Sequence, residues 1–198
     1  MDRNKTIAKQ NSDRFKHAEF IFPLIENVLN EADISSTQIN GIVVSIGPGS
    51  FTGLRVGMSS AKALATSLDI PLAGVAVFSA LAEPLFSLYG PTCVLIPSRR
   101  DEFYLAEIAG SLFENKTIRI AKKSDVSSLC NLDQIYGIDC VLENEDYPEI
   151  KIITPDQFTI GISDFIKPVF NRLRNGGDDI DSLEPLYIQQ FQSGGNKK

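Results

Sequence analysis

From residue 20 the apolar side chains Phe20, Ile21, Leu24, Ile25, Val28 and Leu29 return in pairs every four residues, the stripe of an amphipathic helix. Ser12 or Asp13 is placed to cap it, and Pro23 must stand in its first turn or bend it, because the ring removes a donor. Gly41-Ile42-Val43-Val44-Ser45-Ile46 is a short β-branched run between turn residues and predicts a buried strand. Gly47-Pro48-Gly49-Ser50 then turns the chain, and Thr52 can cap a second helix over 53–68. A strand over 70–75 and a largely apolar helix over 77–88 follow. Helix, strand, helix, strand, helix predicts an α/β layer with parallel pairing.

At Tyr89-Gly90-Pro91 the Ala-rich pattern stops, which divides the chain into a first lobe, 1–88, and a second, 89–198. Strands are expected over 93–97 and 103–109, joined by the polar turn Ser98-Arg99-Arg100-Asp101, with weaker ones over 117–121 and 139–142. From Asp156, the residues Phe158, Ile162, Phe165, Ile166, Val169, Phe170 and Leu173 restore a helical stripe that Gly176 and Gly177 can end. The tail 193–198 is expected to be mobile.

Composition narrows the function classes. The 198 residues are 43% hydrophobic and 22% charged, enough to bury a core. The net charge is −6, with nine basic and eight acidic residues in 1–100 against ten basic and seventeen acidic beyond, so RNA is not expected to bind this chain unaided. Three cysteines without a C-x-x-C pair fit a reduced cytoplasm. The charge-free run 34–54 is too polar for a membrane span, and no secretory signal opens the chain. One histidine, His17, excludes a two-histidine zinc site within the chain and leaves no base for a conventional serine triad; it reads best as a packed structural residue. The acidic groups Glu143, Glu145, Asp146, Glu149 and Asp178, Asp179, Asp181, Glu184 lack calcium-loop order and read as a solvated face. No residue is singled out as catalytic and none as a metal ligand.

Two features carry specific chemistry. Gly53, Gly57, Ala61 and Ala65 fall at i+4 steps on the second helix and form a smooth stripe. It fits either packing on the chain's own sheet or a seam with a partner helix, with Phe20, Leu24 and Val28 of the first helix as further seam candidates. The glycine-rich turn into that helix presents free amides, which makes Ser50, Thr52 and Arg55 candidate phosphate ligands. It lacks both the G-K-[ST] ending of a Walker loop and the G-x-G-x-x-G order, so a tight turn with a capping Thr52 and a surface-paired Arg55 serves as well.

His17-Ala18-Glu19-Phe20-Ile21-Phe22-Pro23 followed by Gly47-Pro48-Gly49-Ser50-Phe51-Thr52-Gly53-Leu54-Arg55-Val56-Gly57 resembles the bacterial TsaB (YeaZ) family. Gly74-Val75 with Ser79-Ala80-Leu81-Ala82, then Ile96, Arg99, Glu102 and Tyr104, then Glu184-Pro185-Leu186-Tyr187 resemble its later motifs. The resemblance implies a two-lobed actin-like (ASKHA, ribonuclease H-like) α/β fold and a non-catalytic scaffold role in threonylcarbamoyl transfer to the adenosine beside the tRNA anticodon. It implies a heterodimer with the catalytic subunit TsaD, the ATPase TsaE as a further partner, and a homodimer when TsaD is absent. No resident cofactor is implied, nucleotide chemistry being supplied by partners. The competing reading is a peptidase or a phosphotransferase of the glycoprotease/actin-like class. Family members begin with a strand pair carrying I-D-T-S, and this chain opens at Met1-Asp2-Arg3, so the expected first lobe lacks its N-terminal strand hairpin and leaves a sheet edge open. Pro97 stands where the family has Asp in I-D-A-R, which removes a carboxylate from the second lobe.

Overall fold

A computed structural model describes residues 6–9, 17–113, 117–138, 140 and 142–188. Helix α1 (His17–Ala32) precedes strand β1 (Ile42–Gly47), helix α2 (Phe51–Leu68), strand β2 (Leu72–Ala76) and helix α3 (Val77–Tyr89). β1 and β2 pair in parallel, Ile42 beside Leu72 and Val44 beside Gly74, and among the described residues they form a two-stranded sheet. Pro23 lies inside α1 rather than in its first turn. The caps offered at Ser12 and Asp13, and the tail 193–198, lie outside the described residues, as does the side chain of His17.

Past Gly90 the chain builds a second sheet from β3 (Thr92–Pro97), β4 (Glu102–Ile108), β5 (Arg119–Lys122), β6 (Gln134–Gly137) and β7 (Lys151–Ile153), with helix α4 (Val126–Leu129) before β6. The strand order is β5-β4-β3-β6-β7. β3 pairs antiparallel with β4 and parallel with β6, so the sheet is mixed about its centre. Both faces of β3 are covered, which is why its apolar run is continuous rather than alternating. Val94 and Ile96 meet Phe78, Leu81 and Leu85 of α3, while Cys93 and Leu95 meet Leu105, Val126 and Ile135 on the opposite face.

Two expectations for the second half change. The weak strand over 139–142 is not observed, and 139 and 141 lie outside the described residues; the strand is β6, five residues earlier, and β7 has no counterpart in the pattern. Both are short strands held by a neighbour, β6 by β3 and β7 by β6, and not by local periodicity. The helix expected from Asp156 begins at Ile162 as α5 (Ile162–Ile166) and continues as α6 (Phe170–Arg174) after a 3-10 turn, Lys167–Val169. Pro168 has no amide hydrogen to continue an α-helical ladder, which accounts for the break.

The end of the chain returns to the first sheet. Phe165, Val169 and Leu173 pack on Ala73 and Val75, and Ile180 and Leu183 pack on Leu72, Ala61 and Ala65. A charged clamp seals the outer edge of β2. Gly74 N donates to Asp178 Oδ2 at 2.8 Å, Arg172 Nη2 donates to the Gly74 carbonyl at 2.7 Å, and Arg172 Nη1 lies 2.5 Å from Asp178 Oδ1. Asp178 N completes it with a bond to the Leu72 carbonyl at 2.7 Å. The reading of Asp178 as part of a solvated acidic face is therefore corrected: its side chain is 17% exposed and closes a strand edge.

Candidate functional site

The shape of the glycine-rich turn is set by the chain's own packing. Gly47 adopts φ +103°, and a β-carbon there would come within 2.9 Å of Leu54, so the turn into α2 needs glycine at this position. The Gly47–Pro48 peptide is cis. The helix starts two residues earlier than expected, at Phe51, because Ser50 and not Thr52 is the cap: Gly53 N donates to Ser50 Oγ at 3.3 Å. Ser50 is thus committed to the helix end. Thr52 is exposed in the first turn.

This turn forms one wall of a cavity of about 870 Å³. Gly49, Ser50, Phe51, Leu54 and Arg55 line it from α2; Ser98, Arg99 and Tyr104 line it from β4 and the turn between β3 and β4; Leu186, Tyr187 and Ile188 close it from the end of the described chain. Three stretches that lie far apart in sequence meet here. Phe51 and Tyr187 sit with ring centroids 5.6 Å apart, and the Arg55 guanidinium lies 4.7 Å above the Phe51 ring. Of the three phosphate candidates, Ser50 and Arg55 border the cavity and Thr52 does not. Arg99, Tyr104 and Tyr187 join the site although no spacing rule connects them to the glycine turn; each stands in a motif of its own, and only the fold brings the motifs together.

The small-residue stripe divides in two. Ala65 is 1% exposed and Ala61 7%, both packed against Leu72, Ile42 and Val44, so this half faces the chain's own core and is not available to a partner. Gly53 and Gly57 are half-exposed, and a β-carbon at Gly57 would meet no atom within 4 Å. Helix α1 contacts α2 without burying itself: among its described side chains none is fully buried, Phe20 is 38% exposed, and Leu24 and Val28 are half-buried. The stripe, which by spacing fitted either a core contact or a partner seam along its whole length, is a core contact at one end and an open surface at the other.

Among the described residues no three His, Cys, Asp or Glu side chains gather as a metal would require. No described helix is long and apolar enough to cross a membrane.

The family described as TsaD: tRNA N6-adenosine threonylcarbamoyltransferase matches residues 11–156. The tRNA threonylcarbamoyladenosine biosynthesis protein TsaB of Escherichia coli (strain K12) is 36% identical over 94 residues, 46% of this chain and 41% of that protein. TsaB of Bacillus subtilis (strain 168) is 36% identical over 88 residues, 44% of this chain and 38% of that protein. The chain spans about two fifths of the length of these relatives. Among solved structures, an uncharacterized protein with similarity to peptidase YEAZ from Pseudomonas aeruginosa superposes with a TM-score of 0.68 at 17% identity, covering 96% of this chain and 92% of that one. YeaZ from Pseudomonas aeruginosa superposes at 0.62 with 19% identity, covering 87% and 85%. At such identities the superpositions speak for the fold, which is the actin-like α/β arrangement of the mixed sheet and its helices. With the match running from 11 to 156, through the glycine turn and the central sheet, the chain belongs to this threonylcarbamoyltransferase family, on its TsaB (YeaZ) branch.

Proposed function

We propose that this chain is a non-catalytic scaffold subunit in threonylcarbamoyladenosine biosynthesis on tRNA, acting by docking the catalytic subunit TsaD, with TsaE as a further partner and self-pairing when TsaD is absent. The observation that carries this reading is the open face of α1 and the start of α2. An amphipathic helix with an apolar stripe normally buries that stripe; here Ile21, Leu24, Ile25, Val28 and Leu29 all remain half-exposed, and on α2, the helix that α1 contacts, Gly57 leaves room for a second backbone. Phe20 and Phe22 add exposed aromatic area on α1. The role on tRNA is supported by the names of the curated relatives, TsaB of Escherichia coli and of Bacillus subtilis. The chain brings no cofactor of its own in this reading.

The test is the affinity for purified TsaD of the native chain and of Gly57→Leu. Leucine at 57 points into open space in the free chain, so the fold should persist, while a bulky side chain holds a docking helix away. The expected result is a loss of pairing of tenfold or more at unchanged thermal stability, on the order of 1.4 kcal/mol or above. Unchanged affinity sinks the proposed seam. Ala61→Arg is not a substitute, because Ala61 lies in the chain's own core and arginine there would disrupt the fold.

A further inference from the structure

We propose that Cys93 and Cys130 are a modification site, a thiol pair that hydrogen peroxide oxidises to a disulfide joining the central strand of the second sheet to the end of α4. The inference does not rest on the scaffold reading, since it concerns a different part of the chain and is read without a partner.

Position is the first argument. Cys93 lies near the start of β3 and is wholly buried, while Cys130 ends α4 and is 6% exposed. Both belong to one apolar cluster with Leu105, Val126 and Ile135, and their thiols are in hydrogen-bond contact. The surrounding backbone holds that contact in place. Glu107 stands opposite Cys93 in the β3–β4 register, and its Oε1 accepts from Asn131 N, next to Cys130, at 3.1 Å. Cys130 N donates to the Val126 carbonyl at 2.8 Å, and its Sγ donates to the Leu132 carbonyl at 3.6 Å. Two thiols already in contact need only a short approach to bond. The movement falls on Cys130, because α4 is a single turn whereas β3 is paired on both sides.

Access is the second argument. Cys130 borders a surface recess of about 300 Å³ together with Ser127, Leu132 and Pro148, whereas Cys93 has no exposed surface. Such a recess admits a molecule little larger than water. The Cys93 thiol donating to it holds the Cys130 thiol below the ordinary cysteine value, against burial and the carboxylates of Glu107 and Asp133. The same contact, with burial, keeps Cys93 protonated. An outer sulfur with thiolate character and an inner thiol behind it is the order that oxidation by a peroxide requires.

The Cys130 sulfur attacks one oxygen of hydrogen peroxide. The O–O bond breaks, the sulfur becomes a sulfenic acid, and the leaving hydroxide takes the Cys130 proton as water. The Cys93 sulfur then attacks the Cys130 sulfur; the S–S bond forms, the S–O bond breaks, and hydroxide leaves with the Cys93 proton as a second water. Two thiols and one peroxide give one disulfide and two waters, and an external dithiol reverses the result by exchange.

The experiment treats the reduced full chain with hydrogen peroxide or, in parallel, with glutathione disulfide. Remaining thiols are then alkylated with iodoacetamide in urea, and unreduced peptides are mapped by mass spectrometry after cleavage at aspartates, which separates Cys130 from Cys140 at Asp133. The expected product of the peroxide arm is a Cys93–Cys130 disulfide that dithiothreitol removes, with the half-exposed Cys140 recovered alkylated. Cys93→Ala should lose the disulfide and accumulate a Cys130 sulfenic acid that dimedone traps. Cys130→Ala should slow the oxidation of Cys93 by about tenfold or more, because nothing of Cys93 reaches the surface. The crosslink in the unsubstituted chain is read independently of how either variant folds. Both thiols still alkylated after peroxide, a disulfide through Cys140, crosslinking only once urea has unfolded the chain, or reaction with glutathione disulfide but not with peroxide would overturn the proposal.

Discussion

Replacing Asp178 by alanine tests the clamp that closes the outer edge of β2. Two side-chain interactions disappear: the 2.8 Å bond from Gly74 N and the contact with Arg172. The backbone bond from Asp178 N to the Leu72 carbonyl remains available to alanine. β2 is buried at every residue, so the Gly74 amide would be left without a partner away from water. A hydrogen bond to a charged acceptor contributes about 1.5–3 kcal/mol, and stranding a buried donor costs a similar amount that overlaps with it. The Arg172 side chain is 50% exposed, so its ion pair with Asp178 is screened and adds less than about 1 kcal/mol. Together these give a loss of about 2–4 kcal/mol, roughly 5–15 °C in Tm for a chain of this size. Urea and thermal unfolding followed by circular dichroism measure it, with Glu184→Ala, an exposed acidic neighbour, as the control expected within about 0.5 kcal/mol of native. Arg172→Ala should cost less, and the double variant less than the sum, because each partner's loss already idles the other. An Asp178→Ala variant as stable as the control would refute the view that this carboxylate does more than solvate the surface.

Glycines 177 and 57 should respond in opposite directions to alanine. Gly177 has φ +83° and an added β-carbon would lie 2.5 Å from the Leu72 carbonyl oxygen, so Gly177→Ala should destabilise by about 2 kcal/mol or more in urea unfolding. Gly57 is a helix-interior glycine with open space around it, and Gly57→Ala should raise stability by about 0.5–1 kcal/mol; a loss would show that the position is already occupied. Leu81, fully buried between α3 and the second sheet, should cost about 2–5 kcal/mol as Leu81→Ala, and a smaller change in the unfolding midpoint would mean that the α3 interface collapses to fill the gap. The neighbouring Cys130 thiol and burial both push the Cys93 thiol up, so it stays protonated through the neutral range; iodoacetamide at pH 8 should leave Cys93 unlabelled in native protein and label it on unfolding. Native-state labelling at the rate of a free thiol would contradict that burial.

Local pattern was enough to determine the first three helices and the strands β1 to β4, because each carries a period or a β-branched run bounded by glycine or proline. It also singled out the glycine turn and the motifs that mark the family. β6 and β7 escaped it, since a four-residue and a three-residue strand hold their place through a neighbour's hydrogen bonds and not through their own periodicity. The stripe of Gly53, Gly57, Ala61 and Ala65 was visible in the chain, but helical spacing assigns residues to a common face without saying what covers it. Tertiary packing decided that Leu72, Ile180 and Leu183 take one end and leave the other open. The cavity was beyond reach for the same reason: Arg55, Arg99 and Tyr187 are separated by tens of residues, and only the return of the chain's end to β1, where Leu186 N bonds the Ile46 carbonyl at 2.7 Å, brings them to one wall. Sequence periodicity reports short-range geometry, whereas the meeting of distant motifs depends on how the two sheets and the returning segment exclude water together.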